Sequence, residues 1–142
     1  MDETDDSLVS PGDYEALAAF RRALRRFLAF SEAAAGAEGI PPQQHQALLA
    51  IKGHPGDEAI GVGALAEALA IKHNTAVELS DRMATAGLLV RDHAPDDRRR
   101  IQLKLTSKAE AVLARLSAAH LAEQRETTPL LIDLLRRFQA PG

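Results

Sequence analysis

The chain has 142 residues, 46% of them hydrophobic and 26% charged, with no Cys, no Trp and a net charge of −3. Such a length suits one domain, or a small domain with appended helices, and the lack of Cys removes disulfides, thiolate metal sites and cysteine redox chemistry. No apolar run approaches the roughly 20 residues of a membrane span, and the acidic start MDETDDSLVS is the opposite of a signal peptide's basic one, so a soluble, cytoplasmic protein with no membrane partner is expected.

Residues 1–15 hold six carboxylates and no Lys or Arg, and residues 1–12 read as an acidic, disordered tail. A long helix follows over about 13–36. Leu17, Phe20, Leu24, Phe27 and Ser31 recur on one stripe, with Arg21, Arg22, Arg25 and Arg26 mostly off it. Pro41 and Pro42 suit the start of a second helix, which Leu48, Leu49 and Ile51 supply with apolar contacts. DEAIGV is a connector with room for a small strand, and GALAEALAI (63–71) is a short Ala-rich helix. KHN is a turn, and TAVELSDRMATAG (75–87) is another helix, with Asn74 as its N-cap. Short helix, tight turn and second helix make a helix-turn-helix.

After Gly87 the period changes. LLVRD and IQLKL read as strands, with Ile101, Leu103 and Leu105 alternating with Gln102 and Lys104. HAPDDRRR between them is the tip of a hairpin, so the helix-turn-helix is winged. Thr106 caps a helix over about 107–125, and Thr128-Pro129 restarts a last helix through Phe138. Residues 139–142 read as a tail. Charge is distributed to match: residues 72–108 carry eight Lys and Arg against five Asp and Glu, an excess of three cations in an acidic chain.

DDRRRIQLKLT, PPQQHQALLAI, LAEALAI and SDRMATAGLL, in this order and spacing, resemble the MarR family of bacterial transcription regulators over roughly residues 14–138. The resemblance implies a mainly α fold with a small β-wing: one domain over 13–138, a winged helix-turn-helix at about 41–106, and dimerisation helices at about 13–36 and 107–138. It implies a homodimer with the terminal helices of both chains interleaved. Leu130, Leu131, Leu134, Leu135 and Phe138 support that independently, because they are more apolar surface than a lone terminal helix leaves in water. Together with Leu17 and Phe20 they form the expected dimer interface.

The second helix of a helix-turn-helix lies in the major groove, with its first residues at base edges. His73, Asn74, Thr75, Val77 and Glu78 are the candidates there, with Val77 suited to a thymine methyl. Lys72 and Arg82 suit phosphates. Ala76, Leu79 and Met83 face the core. Val77, where the family often has a hydroxyl residue, Glu78, where it often has a basic one, and Ser80 depart from the family pattern. Glu78 either accepts from a cytosine amino group or pairs with Arg82 at i,i+4, the pairing being preferred; Ser80 replaces an aliphatic and is expected to loosen packing. One of Arg98, Arg99 and Arg100 enters the minor groove. The resemblance favours Arg99, with Asp97 bracing it or capping the turn.

The resemblance also implies a small phenolic or anionic effector, for which Arg25 and His45 are candidates; a helix histidine and surface arginines with no ligand is the competing reading. The five histidines show no clustered metal-ligand pattern, and no phosphate loop or nucleophile motif is present, so no metal, no cofactor and no catalysis are expected. The expected function is a homodimeric, sequence-specific regulator of transcription, a repressor at an inverted repeat released by an effector. The alternative is a dimeric winged-helix module that binds protein and lacks specific DNA binding.

Overall fold

The computed structural model describes residues 8–139. Five helices and one hairpin follow in chain order: α1 Pro11–Ala37, α2 Pro42–Lys52, α3 Val62–Leu69, α4 His73–Thr85, β1 Leu89–His93, β2 Ile101–Leu105 and α5 Ser107–Gln139. The chain divides into two compact units. One runs through Ser31 and resumes at His120; the other is Glu32–Ala119.

The winged unit has a core of Leu48, Ile60, Leu65, Leu79, Met83, Leu88 and Leu103, closed by Ala109, Val112, Leu113 and Leu116 from one face of α5. Ala66 and Ala76 are buried where α3 and α4 pack, and small side chains there let the two helices approach closely. Leu49, expected inside, faces out, because α2 turns His45, Ala47, Leu48 and Ile51 inward instead.

Three helix ends in this unit share one device. After α1, Ile40 N donates to Ala35 O at 2.9 Å and Gly39 N to Gly36 O at 3.0 Å. After α4, Leu88 N donates to Met83 O at 2.9 Å and Gly87 N to Ala84 O at 3.0 Å. After α3, Ile71 N donates to Ala66 O at 3.0 Å and Ala70 N to Glu67 O at 3.2 Å. Each is a Schellman motif, which needs a left-handed residue just past the helix. Gly39 (φ 71°) and Gly87 (φ 74°) adopt it freely, but at the turn of the helix-turn-helix the residue is Ala70, with φ 54°, where a Cβ is strained.

β1 and β2 pair antiparallel from Leu89 opposite Leu105 to His93 opposite Ile101. The connector expected to hold a small strand supplies a single bridge, Gly61 to Gln102, and Leu103 N donates to Ile60 O at 2.8 Å. The expected alternation in β2 fails at its start: Gln102 is buried and Ile101 exposed, because Gln102 is drawn against Gly61. Thr106 caps α5 as expected, its Oγ1 accepting from Ala109 N at 3.2 Å. The same hydroxyl donates to Gly87 O at 2.6 Å, tying the end of α4 to the start of α5.

Two boundaries move. The tail expected over residues 1–12 is shorter, because α1 starts at Pro11. Ser10 and Asp13 form a reciprocal capping box, Ser10 N donating to Asp13 Oδ2 at 2.9 Å and Asp13 N to Ser10 Oγ at 3.1 Å, with Pro11 in the first turn where its missing N–H costs nothing. The rest of that expectation, including Asp2, Glu3, Asp5 and Asp6, lies outside the described residues. The expected restart at Thr128-Pro129 is instead the interior of one helix, α5. Pro129 removes a helical N–H there, while the Thr127 hydroxyl donates to Glu123 O at 3.1 Å and Thr128 bonds the Gln124 carbonyl. The C-terminal tail loses Gln139 to this helix; its remaining residues lie outside the described ones.

In the other unit Ala16 and Leu134 are buried. Phe20 and Phe138 meet edge to face at 5.6 Å. The His120 ring sits against Phe27 and Phe30 at 6.0 and 5.3 Å, and its Nε2 lies 2.9 Å from Ser31 Oγ. Leu17, Leu24, Leu28, Leu121, Leu130, Ile132, Leu135 and Phe138 stay exposed, each at 43% or more. No helix among the described residues is long and apolar enough to cross a membrane.

Candidate nucleic-acid interface

α4 divides cleanly into an inner and an outer face. Ala76, Leu79, Ser80 and Met83 are buried; His73, Asn74, Val77, Glu78, Asp81 and Arg82 are exposed, Lys72 is exposed at the start, and Thr75 is half-buried. Every residue expected at base edges or phosphates therefore lies off the core face. Ser80 donates its hydroxyl to Val77 O at 2.9 Å, so this buried position carries no unmet polar group.

The expected N-cap, Asn74, is corrected. The cap residue is Lys72, with extended backbone (φ −69°, ψ 152°) and no side-chain cap. His73, Asn74 and Thr75 form the first turn, and Asn74 Oδ1 accepts from Thr75 N at 3.1 Å. Lys72 supplies no side-chain cap to the first N–H groups of α4, which suits an anion approaching that end, although the Thr75 N–H is taken by Asn74.

The preferred pairing of Glu78 with Arg82 is also corrected: among the described residues no ion pair joins them. Glu78 is exposed. The acid of α4 that does pair is Asp81, whose Oδ1 accepts from Arg91 Nη1 on β1, and this contact fastens the outer helix to the wing. Sequence reasoning missed it, because nothing local to either residue signals a partner ten positions away across a turn.

The tip between β1 and β2 is closed by its own backbone. Ala94 N donates to Arg100 O at 2.8 Å and Arg100 N to Asp97 O at 3.1 Å. Arg99 N donates to Asp97 Oδ1 at 2.9 Å, so of its two expected roles Asp97 takes that of turn cap. His93 Nδ1 lies 2.7 Å from Arg98 O. The three arginines are not equivalent. Arg100 Nη2 donates to Asp96 Oδ1 at 2.8 Å, and Nη1 lies 3.6 Å from Glu58 Oε2 in the α2–α3 loop. The hydrogen bond from Arg100 holds the Asp96 carboxyl below the usual carboxylate range. The same bond, with the charges of Asp96 and Glu58, raises Arg100.

Among the described residues Lys72, Arg82, Arg98 and Arg99 take part in no ion pair. Arg91, Arg100 and Lys104 are engaged by Asp81, Asp96 with Glu58, and Asp92, and Lys108 donates to Ala86 O. Between the start of α3, the outer face of α4 and the wing lies a groove of about 410 Å³, walled by Val62, Val77 and Ile101 and edged by His73, Arg91, Arg99 and Arg100. Val77 and Ile101 thus give this cationic face an apolar floor.

The remaining candidates fall in both units. Of the expected dimer residues, Leu134 is buried in its own chain, Phe20 and Leu131 are half-buried, and Leu17, Leu130, Leu135 and Phe138 are exposed. His45 is buried on α2 in the winged unit. Arg25 is exposed on α1 in the other unit. A cavity of about 500 Å³ in that unit is lined by Arg22, Arg26, Phe27, Gln124, Thr127 and Leu130 among others, and Arg25 is not in its wall. Among the described residues no group of three His, Asp or Glu is placed to hold a metal ion.

A helix-turn-helix with an exposed polar second helix, followed at once by a hairpin with a cationic tip, defines the winged helix-turn-helix class. Residues 38–100 match the family model described as MarR family. A Thauera aromatica protein named as a transcriptional regulatory protein for the hcr operon is 29% identical over 116 residues, covering 82% of this chain and 68% of that protein. Among solved structures, AbsC of Streptomyces coelicolor, a MarR family transcriptional regulator, superposes with a TM-score of 0.73 at 19% identity, covering 92% of this chain and 90% of its own. The transcriptional repressor CouR, bound to a 23-mer DNA duplex, superposes with a TM-score of 0.64 at 26% identity, covering 92% of this chain and 93% of its own. The chain is thus similar to MarR family transcription regulators over residues 38–100.

Proposed function

We propose that this protein is a homodimeric repressor that binds an inverted repeat in double-stranded DNA and occludes a promoter. The observation that carries the reading is the outer face of α4 beside the wing tip. Base-reading side chains (His73, Asn74, Thr75, Val77) stand on one, and Arg98 and Arg99, without ion-pair partners among the described residues, on the other. Major-groove readout needs the first; a narrow minor groove attracts the second. Lys72 and Arg82 contact phosphates. With no intrahelical partner, Glu78 is left to accept from a cytosine amino group.

Dimerisation rests on the exposed apolar residues of α1 and α5. Burying one such side chain is worth roughly 1.5–3 kcal/mol, so eight left in water favour a second copy. For an anionic effector, Arg22 and Arg26 are the candidates, because they line the cavity between α1 and α5. The effector would favour a spacing of the two α4 helices that no longer matches the duplex. A salt titration of binding to genomic DNA fragments tests the reading. Phosphate neutralisation predicts a steep, linear loss of log affinity with log salt, and affinity that is flat with salt contradicts it.

A further inference from the structure

Arg100 lies in the basic tip but does not stand free in it. Its guanidinium is forked between two loops, Nη2 on Asp96 within the tip at 2.8 Å and Nη1 toward Glu58 in the α2–α3 loop at 3.6 Å. Two residues beyond Glu58 the same loop enters the sheet, where Leu103 N donates to Ile60 O and Gly61 bridges Gln102. The base of the wing is thus held by backbone, and its tip by one side chain reaching the same loop. Arg98 and Arg99 share the tip and make no such contact. Arg99 and Arg100 both line the groove facing α4, but only Arg100 of the two is held there by carboxylates among the described residues.

We infer that Arg100 is a positioning residue, clasped by Glu58 and Asp96 to hold the wing tip where Arg99 meets DNA, and that Glu58 supports DNA binding although it is an acid on the DNA-binding unit. The guanidinium fork explains why the position is Arg, since two carboxylates on separate loops are spanned by two donor nitrogens and less well by one ammonium. The inference rests on the DNA-binding reading above. It makes a prediction of opposite sign to simple electrostatics: deleting a negative charge from a protein that binds a polyanion ordinarily tightens binding.

The test measures fluorescence anisotropy on a duplex selected from random sequence, between 50 and 200 mM salt, for wild type, Glu58→Gln, Arg100→Ala, the double variant, Arg100→Lys and Arg99→Ala. Glu58→Gln is expected to weaken binding about two- to five-fold, the scale of an exposed ion pair, and to have no weakening effect once Arg100 is Ala. Arg100→Ala should weaken binding similarly with less change in salt slope than Arg99→Ala, and Arg100→Lys should recover only part of the loss. Unchanged or tighter binding by Glu58→Gln overturns the inference. So does a slope change for Arg100→Ala equal to that of Arg99→Ala, or full recovery by Lys, since either makes Arg100 a phosphate contact. If wild type binds no duplex, or Arg99→Ala binds as wild type does, the DNA-binding reading itself has failed, and that result is distinct from the others.

Discussion

Replacing Arg99 by Ala isolates one contact unusually well. The structural role of Arg99 lies in its backbone, whose N–H donates to Asp97 Oδ1; its side chain takes part in no ion pair among the described residues. Arg99→Ala therefore keeps the turn and removes only the outward cation. Each neutralised phosphate contributes about 0.9 to the slope of log affinity against log salt. A homodimer loses two such contacts, so the slope should become shallower by about 1.8, and by only about 0.9 if a single copy binds. Over a fourfold rise in salt, a change of 1.8 corresponds to about a 12-fold smaller loss of affinity for the variant than for wild type. Anisotropy titrations at several salt concentrations read this directly, and sedimentation should show the variant's assembly unchanged. A slope equal to that of wild type would remove the wing from the interface and refute the reasoning.

Three further outcomes follow from the same geometry. Ala70→Gly should stabilise the protein by about 0.5–1 kcal/mol, the relief of left-handed strain less the greater freedom of Gly in the unfolded chain, and raise the melting temperature by about 2–4 °C; a lower melting temperature would contradict the strain at the turn. Leu130→Asp or Leu135→Asp should shift the protein to a single chain in sedimentation at micromolar concentration while far-ultraviolet circular dichroism stays helical, whereas an unaltered sedimentation coefficient would place the interface elsewhere. Glu38 is held below its ordinary value of 4.5 by the hydrogen bond from Arg115. A carboxyl lowered on folding contributes stability above that value and loses it as pH falls through the folded one, so Glu38→Gln should flatten the acid limb of stability against pH; an unchanged limb would dismiss the pair.

The order of elements was legible because the hydrophobic period changes from 3.6 to 2 at Gly87, and because Gly39 and Gly87 mark helix ends. The inner face of α4 was legible for the same reason, since Ala76, Leu79 and Met83 recur at helical spacing. The misses have local causes. Ser10 and Asp13 carry a capping box that was hidden inside an acidic run. Asn74 has the chemistry of a cap, but the extended backbone falls two residues earlier, at Lys72. Pro129 signals a break, yet the helix continues through it with the Thr127 and Thr128 hydroxyls bonded to preceding carbonyls. Partners distant in sequence were beyond reach: neither the Asp81–Arg91 fastening nor the Glu58–Arg100 clasp has a periodic signature, and three adjacent arginines look alike until their neighbours are placed.

The central claim is that paired copies of α4 and its wing read a symmetric duplex. Selection of bound sites from random double-stranded DNA tests it most directly. Enrichment of an inverted repeat is expected, its half-sites about one helical turn, roughly 10 base pairs, apart. Recovery of unenriched sequence, or of a single asymmetric site, would contradict it.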